Sequence, residues 1–204
     1  MIIHDVEQGT DEWHQLRKKR LTASRASAIG ANGKGLITYV MELMQDFYSS
    51  AEKDNFTGKD MDRGNELEDS AGFIYSATTG NETRKIGFVE HSEFVGCSPD
   101  LYCQKRGLVE IKCPADKGFF NLLINPVEKE IKSEYIWQMQ MQMLICDKDW
   151  CDFVAYNPNF NTELIIIRIE KDQKKFDKLR LGFEEGVRLM KEIEDKYVEF
   201  TQAE

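Results

Sequence analysis

Cys97-Ser98-Pro99-Asp100 and, a short stretch later, Leu108-Val109-Glu110-Ile111-Lys112-Cys113-Pro114 decide how this chain is read. Side chains alternate along a strand, so a strand through Glu110 sets Glu110 and Lys112 on one face and Val109, Ile111 and Cys113 on the other. Gln104-Lys105-Arg106-Gly107 reads as a turn that folds the Asp100 strand back beside the Glu110 strand. Pro99 bends the chain just before Asp100. Two carboxylates and a lysine then converge at one sheet edge. The two acids repel unless a divalent cation takes oxygen from both, and magnesium accepts such oxygens while keeping waters and a phosphate oxygen. The chemistry this suits is phosphodiester hydrolysis. A bound ion acidifies a water and neutralises charge on the phosphate, and Lys112 is placed to orient the water and stabilise negative charge. Glu-x-Lys alone is common and reads more simply as an exposed pair on a hairpin. Ser-Pro-Asp at nine intervening residues, with an acidic helix before it, gives the pattern its weight.

Outward from this core, residues 10–20 read as a short helix capped by Thr10 or Asp11, and Thr22-Ala23-Ser24 caps a second piece ending near Gly30. Residues 31–35 form a glycine-rich loop in which Lys34 precedes Gly35, so the Ser or Thr of a phosphate loop is missing. Helices are expected over 36–53 and 61–79, the latter stopped by Gly80-Asn81. Strands are expected over 86–90, 94–103 and 107–113. Helices then follow near 117–124 and 133–146, the second capped by Ser133, with strands at 151–157 and 163–169. From about 172, Phe176, Leu179, Phe183, Val187, Met190, Ile193, Tyr197 and Phe200 step by three or four, the stripe of a long amphipathic helix. The expected fold class is α/β (mixed α+β), a central mixed sheet flanked by helices. With no repeat and no linker, residues 1–204 read as a single domain: N-terminal helices over 10–53, a core over about 60–170 and the C-terminal helix over about 172–200.

Composition removes several classes. Four prolines and fourteen scattered glycines exclude collagen and a disordered body. No run approaches the ~20 apolar residues of a membrane span, and Met1-Ile2-Ile3-His4-Asp5 lacks a signal peptide's basic and apolar segments. The expectation is a cytoplasmic protein without a membrane partner. Five cysteines without close spacing read as free thiols, and three histidines without an H-x-x-x-H pair argue against zinc, so a metal here would be held by oxygen. The net charge of -9 at first argues against nucleic acid. Residues 1–40, however, carry six basic and four acidic side chains, including Arg17-Lys18-Lys19-Arg20. That run reads most simply as a solvated helix face, but segregated basic residues can still line one channel.

Asp100, nine intervening residues and Glu110-Ile111-Lys112 match the PD-(D/E)XK nuclease signature, and the wider pattern resembles the phage lambda exonuclease (YqaJ-like viral recombinase) family. The resemblance spans about residues 8–170. It rests on Glu12-Trp13-His14-Gln15-Leu16-Arg17, Leu21-Thr22-Ala23-Ser24, Gly64-Asn65-Glu66-Leu67-Glu68-Asp69, Cys97-Ser98-Pro99-Asp100, Glu110-Ile111-Lys112-Cys113-Pro114 and Tyr135-Ile136-Trp137-Gln138-Met139-Gln140, in the family's order. It implies a restriction-endonuclease-like core. It also implies that Asp100 and Glu110, the carbonyl of Ile111 and the helix acid Glu68 hold metal, with Glu66 and Asp69 as neighbouring alternatives to Glu68. Lys112 is implied as the catalytic lysine and Gln138 as a glutamine entering the site from the next helix. Gln142 shares the face of Gln138 four residues on. Arg17, Ser24 and Ser98 are implied as a pocket for a 5′ phosphate, which an arginine fork and a serine near a helix N-terminus suit.

The implied activity is 5′→3′ degradation of one strand of linear duplex DNA with a 5′-phosphorylated end, releasing 5′-mononucleotides. The implied cofactor is Mg2+, two ions, with Mn2+ as a substitute. The implied partners are a single-strand annealing protein in recombination and two further copies in a homotrimeric ring, encoded by phage or prophage in a bacterial host. A ring with a basic channel and an acidic outside accommodates the net charge. Two readings stay beside this one: a structure- or sequence-specific endonuclease on the same scaffold, and a catalytically silent nuclease fold that only binds DNA.

Overall fold

A computed structural model of the chain describes residues 1–50, 59–103, 106–125 and 131–202. In chain order its strands are β1 (Ile2–His4), β2 (Leu21–Thr22), β3 (Thr83–Lys85), β4 (Phe88–Ser92), β5 (Val95–Cys97), β6 (Leu101–Cys103), β7 (Gly107–Lys112), β8 (Trp150–Tyr156) and β9 (Leu164–Glu170). The helices are α1 (Asp11–Arg17), α2 (Ala26–Ala31), α3 (Lys34–Tyr48), α4 (Lys59–Thr79), α5 (Asp116–Ile124), α6 (Ser133–Cys146) and α7 (Gln173–Gln202), with a 3-10 turn at Ala23–Arg25.

The hydrophobic face of each strand dictates what covers it. Val109 and Ile111 of β7, with Leu101, Val154 and Tyr156, bury against Ala71 and Tyr75 of α4. Leu108, Phe153 and Ala155 bury on the other face with Met139 and Met143 of α6. The sheet between runs β3-β6-β7-β8-β9, with β7 and β8 parallel and the other pairs antiparallel. The fold class is thus mixed α/β, as the sequence predicts, with one addition. A second, four-stranded sheet, β1-β4-β5-β2, stands beside the first.

The stretch 94–103 is not one strand. It splits at Ser98-Pro99-Asp100, with β5 in the small sheet and β6 in the large one. Pro99 has no N–H to give a ladder and restricts the residue before it, so pairing stops there and resumes in a new partner. In the large sheet Leu101 pairs with Val109, which brings Asp100 level with the Glu110 end of β7. Of the turn expected between these strands, Gln104 and Lys105 lie outside the described residues; Arg106 adopts a positive φ of 63°. The strands β1, β2 and β3, of two or three residues, carry too little alternation to be read from sequence.

Thr10 caps α1, its Oγ1 accepting from the Trp13 amide at 3.4 Å. Gly80, at φ 68°, closes α4 where the Gly-Asn pair predicts, its amide donating to Ser76 at 2.9 Å. The cap expected at Ser133 is displaced by one residue. Lys132 occupies the N-cap without a side-chain bond, and Ser133 is the first helical residue. Nor does Ser24 cap a helix, because it lies inside the 3-10 turn and Arg25 precedes α2.

The basic run is not a solvated helix face. The helix ends at Arg17, Lys19 turns to φ 54°, and Lys19 and Arg20 pair with Glu194 and Glu90 at 2.5 and 3.0 Å. Of the four residues Lys18 alone is exposed. The stripe on α7 buries Phe176, Leu179, Phe183 and Met190, whereas Tyr197 stacks on Tyr48 with ring centroids 3.8 Å apart and Phe200 runs past the core into solvent. Gly182 lets α7 reach the α2 backbone, since a Cβ there would stand 2.1 Å from the Ile29 carbonyl oxygen. Under α4, Asp152 accepts from Arg168 Nε and Nη2 at 2.8 and 3.0 Å and from the Tyr75 hydroxyl at 2.7 Å. Asp152 is 2% exposed, so this charge depends on those donors. They tie to the sheet the helix that carries Glu68 two turns before Tyr75.

Candidate active site

β7 delivers Glu110 and Lys112 to the face that α6 covers, as the alternation requires. Glu110 is fully buried, which a lone carboxylate would not tolerate. Its charge is answered from three sides. Lys112 Nζ pairs with Oε1, Gln138 Nε2 donates to Oε1 at 2.6 Å, and Gln142 Nε2 donates to Oε2 at 2.7 Å. The i and i+4 spacing of the two glutamines puts both on one face of α6. Burial acts to lower the Lys112 ammonium, but Glu110 and Asp100 outweigh it and hold the group above the ordinary lysine range. The Tyr135 ring also lies 5.2 Å from Lys112 Nζ.

Asp100 reaches the same end of the strand, its Oδ2 accepting the Ile111 amide at 2.6 Å. Burial, and after it the charge of Glu110, raises the Asp100 carboxyl well above the usual carboxylate range. Lys112 and the Ile111 amide oppose this, and Glu68 adds to it. Glu68 arrives from α4. Burial raises it too, with Glu110 and Asp69 adding while Lys85 and Lys112 oppose. Among the three acids that the sequence left open here, Asp69 is paired with Lys85 on the surface and Glu66 is exposed, so Glu68 is the one whose field meets Glu110 and Lys112. Arg63, one turn earlier, fastens the same helix to the end of β7 by donating to the Cys113 and Pro114 carbonyls at 3.0 and 3.3 Å. A cavity of about 260 Å³ opens beside Glu68 between α4 and β3, floored by Leu101 and Ile111.

The donor set suits an oxygen-ligated divalent ion. Asp100, Glu110 and Glu68 share the field of Lys112, and burial, with repulsion among the acids added, pushes Asp100 and Glu68 toward their protonated forms, a state that a cation relieves. The ligands are not preassembled as a cage, however. Among the described residues no three acid, histidine or cysteine side chains are gathered closely enough to enclose an ion, and Glu110 Oε1 is held by Lys112 and Gln138 instead.

Across the Ser-Pro-Asp break lies the second group. The Arg17 guanidinium stacks 4.2 Å from the Trp13 ring centroid and donates to Ser98 Oγ at 3.4 Å; Trp13 Nε1 donates to the same oxygen at 2.9 Å. Burial lowers Arg17, with Tyr39 and Cys97 opposing. Among the described residues no carboxylate pairs with it. Ser24 is exposed and its hydroxyl lies 3.4 Å from Thr22 Oγ1, with no described bond to Arg17 or Ser98. The structure therefore joins Arg17 to Ser98 directly and shows no bond from Ser24 to either. Trp13, which holds both, and Gln142 were not read as site residues. Their signals were the invitation of an indole N–H near a polar strand end and the four-residue spacing from Gln138.

The model of the YqaJ-like viral recombinase domain matches residues 12–149, which include every residue named above as a site candidate. The chain belongs to the YqaJ-like viral recombinase family. Two solved structures of LHK-Exo, an alkaline exonuclease from Laribacter hongkongensis, share its architecture. One superposes with a TM-score of 0.77 at 28% identity over 94% of this chain and 100% of that one. The other, in complex with dAMP, gives 0.81 at 29% over 95% and 98%. A phage-related exonuclease from Haemophilus somnus 129PT shares the fold at a TM-score of 0.70 and 20% identity, over 90% and 99%. No curated protein matches the chain. For this family member the mixed α/β class and the sequence resemblance both stand.

Proposed function

We propose that this protein is a Mg2+-dependent exonuclease that degrades one strand of linear duplex DNA from its 5′-phosphorylated end. The observation that carries the reading is the pairing of two unlike sites across one tripeptide. Ser98 faces an arginine with no carboxylate partner among the described residues, and Asp100 faces a lysine among acids. Anion recognition and phosphoester chemistry thus stand two residues apart. Full-length likeness to LHK-Exo, an exonuclease solved with dAMP, supports it.

Asp100, Glu110, Glu68 and the Ile111 carbonyl would hold the ions, with Mn2+ able to replace Mg2+. When bound, the ions acidify a water and neutralise charge on the phosphate. Lys112 orients that water and donates to the non-bridging oxygens, where charge develops. Gln138 holds Glu110 Oε1 and restrains the carboxylate that Lys112 also touches. Arg17 forks onto the 5′ phosphate, and the Ser98 and Ser24 hydroxyls add donors. A single residue of the strand then lies between pocket and acids, and a 5′-mononucleotide leaves.

In the same reading the chain is one exonuclease domain that works in the cytoplasm of a phage-bearing bacterial host. It assembles as a homotrimeric ring around duplex DNA and hands the exposed strand to a single-strand annealing protein. No helix among the described residues is long and apolar enough to cross a membrane. The test is a digestion time course with Mg2+ on linear duplexes labelled on the 5′ or the 3′ strand, beside closed circular DNA. Stepwise loss of 5′ strands with circles intact is expected. Cut circles would replace the reading by the endonuclease one, and no cleavage with any divalent ion by the silent DNA-binding one.

A further inference from the structure

Gln142 is fully buried, and its Nε2 is the one donor described for Glu110 Oε2, at 2.7 Å. The other carboxylate oxygen, Oε1, is served by Lys112 and Gln138, both half-buried side chains at the open side of the site. The two oxygens of Glu110 therefore stand in different surroundings: Oε1 toward the site, Oε2 toward the protein interior. Gln142 also bears a cost. Its own Oε1 is buried with no partner among the described residues, a state that native proteins seldom keep without a reason. The amide cannot be turned round to relieve this, because its carbonyl would then face a carboxylate.

We propose that Gln142 is a positioning residue that reserves Glu110 Oε2, so that Glu110 offers a metal ion one oxygen and not two. This rests on the proposed metal-dependent reading. A carboxylate restricted to one oxygen suits Mg2+, which takes six ligands at short, regular distances. Ca2+ takes up to eight and readily binds both oxygens of a carboxylate. Gln142 thereby favours Mg2+ over Ca2+ by denying the larger ion its second contact. Gln138 cannot serve in its place, since it bonds the oxygen that must turn to the ion.

The test needs no catalysis. Mg2+ and Ca2+ are titrated separately into the full-length protein without DNA and followed by calorimetry, for wild type, Gln142→Met and Gln142→Leu. Neither variant can donate, and their shapes differ, so a packing fault would not affect both alike. The control is Gln140→Met. Gln140 is also buried on α6, but it bonds the Glu170 carbonyl and the Asp172 amide at 2.8 Å each and does not touch Glu110. Removing a residue that orients a ligand weakens metal binding by about 10–100-fold. Mg2+ affinity is expected to fall by about tenfold or more in both Gln142 variants, with Ca2+ affinity holding or rising, so the Mg2+/Ca2+ preference collapses. Gln140→Met should lower thermal stability and leave that preference unchanged. Equal losses for both ions, or no change for either, would overturn the inference while wild-type binding keeps the metal reading intact. Wild-type protein that bound neither ion would overturn both.

Discussion

Arg17→Ala separates recognition of the DNA end from the chemistry. In the structure Arg17 has a ring beneath it, one long bond to Ser98 and no described carboxylate, while burial already lowers its affinity for a proton. A phosphate in that place gains two guanidinium bonds. A hydrogen bond to a charged group contributes about 1.5–3 kcal/mol net, and the lower end suits a half-buried group, giving about 3 kcal/mol for the fork. At 1.4 kcal/mol per decade this is roughly 100-fold. The folded state should hardly respond. What it loses is a stacked cation worth about 0.5–1 kcal/mol, and relief of an uncompensated burial offsets part of that. The assay is single-turnover digestion of matched duplexes ending in a 5′ phosphate or a 5′ hydroxyl. The ratio of the two rates should fall about 100-fold in Arg17→Ala, by a smaller factor in Arg17→Lys, which keeps charge without the fork. The thermal midpoint should stay within about 4 °C. A mutant that preserves the wild-type ratio would remove Arg17 from the pocket, and one that loses both rates equally would make it a general determinant of activity.

Lys112→Ala should cut the cleavage rate by at least about 100-fold, the scale for losing one transition-state donor, with duplex affinity retained in a gel-shift assay; residual cleavage near the wild-type rate would exclude the lysine from the chemistry. Asp100 is held above its unfolded value, so between the two values the folded state carries the extra proton and stability falls as pH rises. Metal-free wild type should therefore lose denaturant stability relative to Asp100→Asn as pH climbs from about 5 to 8, starting above the unfolded carboxylate near ~3.9, and Mg2+ should reverse the trend; a pH-independent difference would refute it. Gly182→Ala forces a methyl against the Ile29 carbonyl. It should cost about 1–3 kcal/mol or more, read as a lower urea midpoint, and an unchanged midpoint would mean that α7 slides freely on α2.

The part of the candidate site that is legible in the sequence is bound to a period. Glu110 and Lys112 follow from strand alternation, whereas Gln138 comes only with the family resemblance and Gln142 only as its neighbour on the same helix face. What was hidden depends on long-range pairing. Pro99 announces a bend, but only the register of β6 on β7 and the separate pairing of β5 with β2 and β4 show that it divides two sheets. Two-residue β2 owes its existence to its partner and not to its own pattern. Arg17-Lys18-Lys19-Arg20 misled because local charge says nothing of Glu90 and Glu194, which lie 70 and 175 residues away and take up two of the four. For Trp13 the sequence predicts only a place in a short helix, whereas its indole N–H ties Ser98 in place from 85 residues off.

The tripeptide Ser98-Pro99-Asp100 acts as a ruler. Two peptide steps span at most about 7 Å, and the proline removes most of the play between them. In the proposed reading, whatever anchors at Ser98 is held at a fixed offset from whatever reacts at Asp100, and since both ends serve phosphate groups the offset is independent of base identity. In the proposed exonuclease the length of each bite is then written in the backbone rather than in a reading of sequence. Lengthening the tripeptide should change the size of the fragment released before it changes which DNA is chosen.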